Sequence, residues 1–264
     1  MERIDLSAPP SQAMTLLIYG APGTGKSTLA AMLAKAAEDV GEPGVLIDTE
    51  RGLLPAAKAA GLAETMLLAA TSPGDGEMVL GAAQAQIAKP DAGLLLIDTM
   101  SELAEMILRD ASGATDTPQL QHYGTRKAVL QRTVRALRDA AGAGVLAIGT
   151  AQQDSREIEG LTGHWRPGVP ASMVMDVVAQ FDCVARLRIV QDHEAEALQL
   201  SPGARYLDFR PSPQQVAKCR TAAELFNGRG EAWQIWPMRD QDDASGLYNV
   251  LSRRTPAEGE ANHG

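Results

Sequence analysis

The chain has 264 residues, of which 45% are hydrophobic and 22% charged; this excludes a wholly disordered or fibrous polymer and suits one or two globular domains. Its apolar runs, such as Gly93-Leu-Leu-Leu-Ile97, fall far short of the roughly 20 residues of a membrane helix, and the start carries no basic segment ahead of an apolar one, so a cytoplasmic protein without membrane contact is expected. With 24 Lys and Arg against 33 Asp and Glu, the formal charge of −9 disfavours polyanion binding by the whole surface and confines any nucleic-acid contact to a local patch.

In chain order, residues 14–19 read as strand, 27–39 as helix, 45–48 as strand and 53–60 as helix. Helix follows at 77–88, strand at 94–98, helix at 123–141 and strand at 145–150. The short apolar runs lack a polar alternation, which predicts an α/β fold with parallel strands buried under helices on both faces. From about Phe181 the pieces FDCVARLRIV, ARYLDF and AWQIW, separated by Pro and Gly, predict antiparallel strands added at the C-terminal end. The expected organisation is a short arm over 1–13, a core over 14–238 and a polar, mobile tail over 239–264, with at most a short helix near 247–251. On the helix 123–141, Lys127, Arg132, Arg135 and Arg138 share one side and Leu130, Val134, Leu137 and Ala141 the other; the basic side is either a solvated face or a contact for DNA or another subunit. Cys183 and Cys219 form no CxxC or Cys/His cluster and read as reduced thiols.

Between the first strand and the first helix lies a complete G-x-x-x-x-G-K-S. Gly20, Ala21, Pro22, Gly23, Thr24, Gly25, Lys26, Ser27 and Thr28 form the expected nucleotide-binding segment. Glycines let backbone N–H groups curl around a phosphate at a helix N-terminus, Lys26 reaches the β- and γ-phosphates of ATP, and Ser27 serves Mg²⁺. Asp98, ending the strand LLLID, is the second Mg²⁺ group. Thr99, and no Glu, follows it. The carboxylate that activates water is therefore sought elsewhere, and Glu50, two residues beyond the strand ending at Asp48, lies on the ligand-binding edge of the sheet. The alternatives are that Glu50 caps the following helix, or that Glu102 acts instead.

A P-loop, Asp48-Thr-Glu50 after the second strand and LLLID in this order resemble the RecA-type ATPase core. The resemblance spans roughly residues 14–238 and is nearest to the small RecA-core ATPases of tailed phages, which include recombinases and single-strand annealing proteins. It implies a polar sensor at Gln152, with Gln153 as the alternative, and a DNA-binding loop over 154–170 in which Arg156 and Arg166 meet phosphates and Trp165 stacks on a base. It further implies that Lys218 and Arg220 enter the ATP site of a neighbouring subunit in a ring or filament. The implied function is a single-stranded DNA-dependent ATPase of recombination, annealing or repair, with single-stranded DNA, further copies of itself and a single-strand binding protein as partners. A P-loop kinase of a nucleotide or small molecule, and a slow ATP switch recruiting replication proteins, are the competing readings.

Overall fold

The computed structural model describes residues 13–72, 74–89, 92–113, 117–158, 161–220, 226 and 234–253. Thr15–Gly20 forms β1, Lys26–Asp39 α1, Val45–Asp48 β2, Leu53–Ala59 α2 and Met66–Ala69 β3. Asp75–Ile87 is α3, Leu94–Asp98 β4, Met100–Ser112 α4, Leu120–Gly142 α5, Leu146–Ile158 β5 and Leu161–Pro167 β6. Then come α6 (Val174–Gln180), β7 (Cys183–Ile189), α7 (Ala195–Leu198), β8 (Arg205–Asp208), β9 (Lys218–Cys219), β10 (Ile235–Pro237) and α8 (Gln241–Leu251).

The strands follow the order β10-β8-β7-β1-β5-β4-β2-β3. From β7 to β3 neighbours run parallel, whereas β8 and β10 are antiparallel, as the composition change after Phe181 predicts. Successive strand residues face opposite sides. Leu17, Tyr19, Leu95 and Ile97 therefore pack beneath α3 to α6, while Leu16, Ile18, Leu94 and Leu96 pack beneath α1 and α8. Each such side chain contributes about 1.5–3 kcal/mol of burial, so the uninterrupted apolar run of a central strand serves two cores at once. The register sets Gly20 opposite Gln152 and Asp48 opposite Asp98, which gathers the ends of β1, β2 and β4 and the middle of β5 at one edge of the sheet. No helix of the described residues is long and apolar enough to cross a membrane.

Several expectations are corrected. The expected loop over 154–170 is largely a hairpin: β5 runs on past the sheet and β6 returns antiparallel to it, with Asp154 opposite Arg166 and Ser155 opposite Trp165. The expected tail from 239 contains α8, capped by the Asp240 carboxylate on the Asp243 N–H (3.1 Å) and packed on α1 through buried Ala244, Leu247, Tyr248 and Leu251. Most of the arm over 1–13 and residues 254–264 of the tail lie outside the described residues. Cys183 and Cys219, distant in sequence, face each other across β7 and β9 with their Sγ atoms 3.3 Å apart. The long helix α5 buries Leu130, Val134, Leu137 and Ala141 as its periodicity requires. Part of its basic side is engaged locally, Lys127 with Asp176 (3.6 Å) and Arg138 with Gln180 (3.0 Å).

Candidate functional site

The loop from Gly20 to Gly25 turns above β1 through the positive φ of Gly23 (+79°) and Gly25 (+98°), and it packs so closely that a Cβ at Gly20 would lie 2.8 Å from the Leu187 carbonyl and 2.9 Å from Thr24 Oγ1. Lys26, on the first turn of α1, folds back over this loop. Its Nζ donates to Gly20 O (2.9 Å), Ala21 O (3.1 Å) and Gln152 Oε1 (3.3 Å). Burial lowers the Lys26 pKa, while the carboxylates of Asp98 and Glu50 act in the opposite sense and favour its charged form.

Ser27 Oγ donates to Asp98 Oδ2 (2.7 Å), and Thr150 Oγ1, from the neighbouring strand β5, donates to Asp98 Oδ1. Burial raises the Asp98 pKa, helped by nearby Glu50 and Asp48, and the two hydroxyl donors oppose it. A hydroxyl and a carboxylate at hydrogen-bond distance, with further acids close by, form an oxygen donor set suited to Mg²⁺. Ser27 and Asp98, the two residues expected to serve Mg²⁺, are thus in direct contact.

Glu50 projects over the same edge. Its Oε1 accepts from Thr99 Oγ1 (2.8 Å) and from Gln152 Nε2 (3.1 Å), and Gln152 Nε2 is 3.3 Å from Oε2. Capping of α2 falls to Asp48, whose carboxylate accepts from the N–H groups of Glu50 (3.1 Å), Gly52 (3.2 Å) and Leu53 (2.9 Å). Glu50 is thereby left to face the loop. Glu102 lies on the first turn of α4, where it pairs with Arg109, away from these contacts.

Gln152 therefore touches Lys26 and Glu50 simultaneously. Its backbone is held on both sides, its N–H donating to Ser101 Oγ (2.9 Å) and its carbonyl accepting from Gly168 N–H (2.6 Å). Gln153 turns the other way, as alternation along a strand demands, and its Oε1 accepts from Arg186 Nε (2.8 Å). Thr99, Ser101 and Thr150 were not singled out from the sequence. A hydroxyl that locks a neighbouring strand end has no spacing rule to reveal it.

The remaining residues lie apart from this cluster. Trp165 is half-buried, with the Arg186 guanidinium over its ring (4.7 Å), and its backbone bonds to Gln214 and Val216. Arg166 Nε donates to Asp154 Oδ2 (2.8 Å) within the hairpin. Arg156 pairs with His164 in the β5–β6 ladder, and its side chain lies outside the described residues. At the other end of the sheet Lys218 Nζ donates to Ala179 O (3.3 Å), and Arg220 binds Ala179 O (3.1 Å) and Asp182 Oδ1 (3.2 Å). Burial, then the charge of Arg220, lowers the Lys218 pKa.

Residues 12–221 match the model of a family described as AAA domain. Among solved structures, similarity extends to a KaiC-like protein of the hyperthermophilic archaeon Pyrococcus horikoshii OT3, at 18% identity and a TM-score of 0.46 over 77% of this chain and 81% of that one. It extends also to a solved ATPase domain, at 15% identity and a TM-score of 0.47 over 79% of this chain and 78% of that one. No curated protein matches. The family match takes in the loop, both strand-end acids and Gln152 on one continuous core, and the chain belongs to this AAA-domain family of P-loop ATPases.

Proposed function

We propose that the chain hydrolyses MgATP between copies of itself and that single-stranded DNA regulates the turnover. One observation carries the catalytic part: the Gln152 amide bridges Lys26 and Glu50, joining the phosphate-binding cation to the carboxylate that would act on water. In this reading the loop N–H groups and Lys26 bind the phosphates. Ser27 and Asp98 would hold Mg²⁺, which neutralises phosphate charge when bound. Glu50 orients the attacking water and takes its proton, and Gln152 senses the γ-phosphate from the base of the β5–β6 hairpin.

Lys218 and Arg220 act in trans. Their contacts lie near Thr15, whose N–H and hydroxyl also bind Asp182, whereas the loop begins at Gly20. Five strand residues at ~3.3 Å each place about 16 Å between the two levels, more than an arginine spans. DNA is supported by continuity, since the strand that bears Gln152 runs directly into the hairpin. Trp165 and Arg166, two of the residues expected to meet DNA, hold partners within the chain that a polynucleotide would have to displace. Recombination, annealing or repair is the setting that fits such an effector.

The test is phosphate release from MgATP with and without single-stranded DNA. Wild type is expected to turn over and to be stimulated by DNA. Glu50→Gln is expected to bind nucleotide while losing turnover by about 10²–10⁴-fold, the usual contribution of a general base. Unchanged turnover in Glu50→Gln would remove the base, and indifference to DNA would remove the polynucleotide.

A further inference from the structure

The phosphate loop has a second cation beside it that belongs to neither the motif nor the trans pair. Arg205 opens β8, an antiparallel addition next to β7, and is exposed, yet its Nε donates to the Thr24 carbonyl in the loop (2.9 Å). The guanidinium approaches the loop over the neighbouring glycine, whose positive φ already favours glycine there. Gly25 has φ +98°, and a Cβ there would lie 2.8 Å from Arg205 Nε and 3.3 Å from its Cδ. Two other arginines of this sheet edge, Arg188 and Arg210, pair with Asp208. Among the described residues Arg205 pairs with no carboxylate, so its charge is turned on the loop itself.

We propose, on the reading that this loop binds the phosphates of a nucleotide, that Arg205 is a positioning residue of the nucleotide site. The Thr24 carbonyl and the Gly25 N–H belong to one planar trans peptide, so they point to opposite sides. Holding the oxygen outward with a cation aims the Gly25 N–H inward, toward the position that a P-loop gives to phosphate. The same charge-assisted bond polarises the peptide and makes that N–H a stronger donor. The ligand class is a nucleoside di- or triphosphate bound in the same chain. The antiparallel strands at the C-terminal end thereby contribute to the site as well as extending the sheet.

Titration calorimetry with MgADP, together with steady-state ATP turnover, tests the assignment on wild type, Arg205→Ala, Arg205→Lys and Lys26→Ala. Arg205→Ala is expected to weaken MgADP binding and to raise KM by about tenfold, the effect of one hydrogen bond to a charged group, with kcat at saturation within about twofold. Arg205→Lys is expected to recover most of the affinity, because an ammonium also donates to Thr24 O. The melting temperature without nucleotide should be equal in wild type, Arg205→Ala and Arg205→Lys, since the Arg205 side chain is exposed. Arg205→Met, which keeps a long side chain but has no donor, gives the same reading should the alanine chain fail to fold. Equal affinity in Arg205→Ala, or a loss that Arg205→Lys leaves unrestored, overturns the assignment. If Lys26→Ala weakens binding and Arg205→Ala does not, the phosphate reading stands and only Arg205 falls; if wild type binds no MgADP, both fall.

Discussion

Thr99 stands directly after the strand-end acid Asp98, and its hydroxyl does two things at once. It donates to Glu50 Oε1 (2.8 Å) and accepts the Glu102 N–H (3.2 Å) as the cap of α4. The residue whose identity directs the search for a base away from its own position thus holds the carboxylate found elsewhere. Thr99→Val is expected to lower kcat by about fivefold, since one orienting hydrogen bond is worth about 1 kcal/mol, and to cost about 1 kcal/mol of stability through the lost cap. Thr99→Ser keeps the hydroxyl and should retain both; turnover and thermal melting of the pair check this, and a serine chain as slow as the valine chain would refute the hydroxyl's role. The P-loop and Asp98 were legible in the sequence because a phosphate cradle needs glycines and a buried strand needs an apolar run before its acid. The choice between Gln152 and Gln153 was not legible. Adjacent strand residues point apart, and only the pairing of β5 with β1 and β4 decides which one faces Lys26.

At the scale of elements, what could be read depended on whether a segment's pattern outweighed its composition. The central strands declare themselves, being apolar on both faces. β3 does not, because it lies at the sheet edge with Met66 half exposed and only Leu67 and Leu68 turned toward the cores. The hairpin is masked by its polar residues, whose ion pair and cation–π contact are invisible in a linear pattern. α8 carries the opposite lesson. Ala244, Leu247, Tyr248 and Leu251 follow the helical i, i+3, i+4, i+7 spacing, but they sit in a stretch polar enough to read as a tail. The helix seals the core over α1, and the Tyr248 hydroxyl, whose pKa burial pushes up to about 12, reaches Glu42 Oε2 (3.2 Å). Leu247, fully buried, is the side chain that tests this. Leu247→Ala is expected to destabilise the protein by about 2–5 kcal/mol, measured as a lower denaturant midpoint at unchanged slope. A midpoint within error of wild type would mean that the core does not depend on this helix.

The whole molecule sets its two kinds of cation at opposite ends of one sheet. Lys26 and Arg205 crowd the loop, whereas Lys218 and Arg220 sit beside Ala179 and Asp182 near the start of β1. Contact between unlike patches of identical chains is head-to-tail, and such contacts generate rings or filaments in which each pocket meets the next copy's far end. If hydrolysis needs a trans cation, as charge neutralisation of the transferring phosphoryl suggests, the defect of one subunit can be repaired by another. Glu50→Gln chains keep Arg220 but lack the base, and Arg220→Ala chains keep the base but lack the cation. Each alone is expected to be nearly inactive. Mixed in equal amounts, they should regain turnover, because some interfaces then bring an intact pocket against an intact Arg220. Phosphate release measured across mixing ratios, with total protein constant, should pass through a maximum between the two pure samples. A straight line between them, or an Arg220→Ala sample as active as wild type, would show that the pocket needs nothing from its neighbour and would return Arg220 to its contact with Asp182 alone.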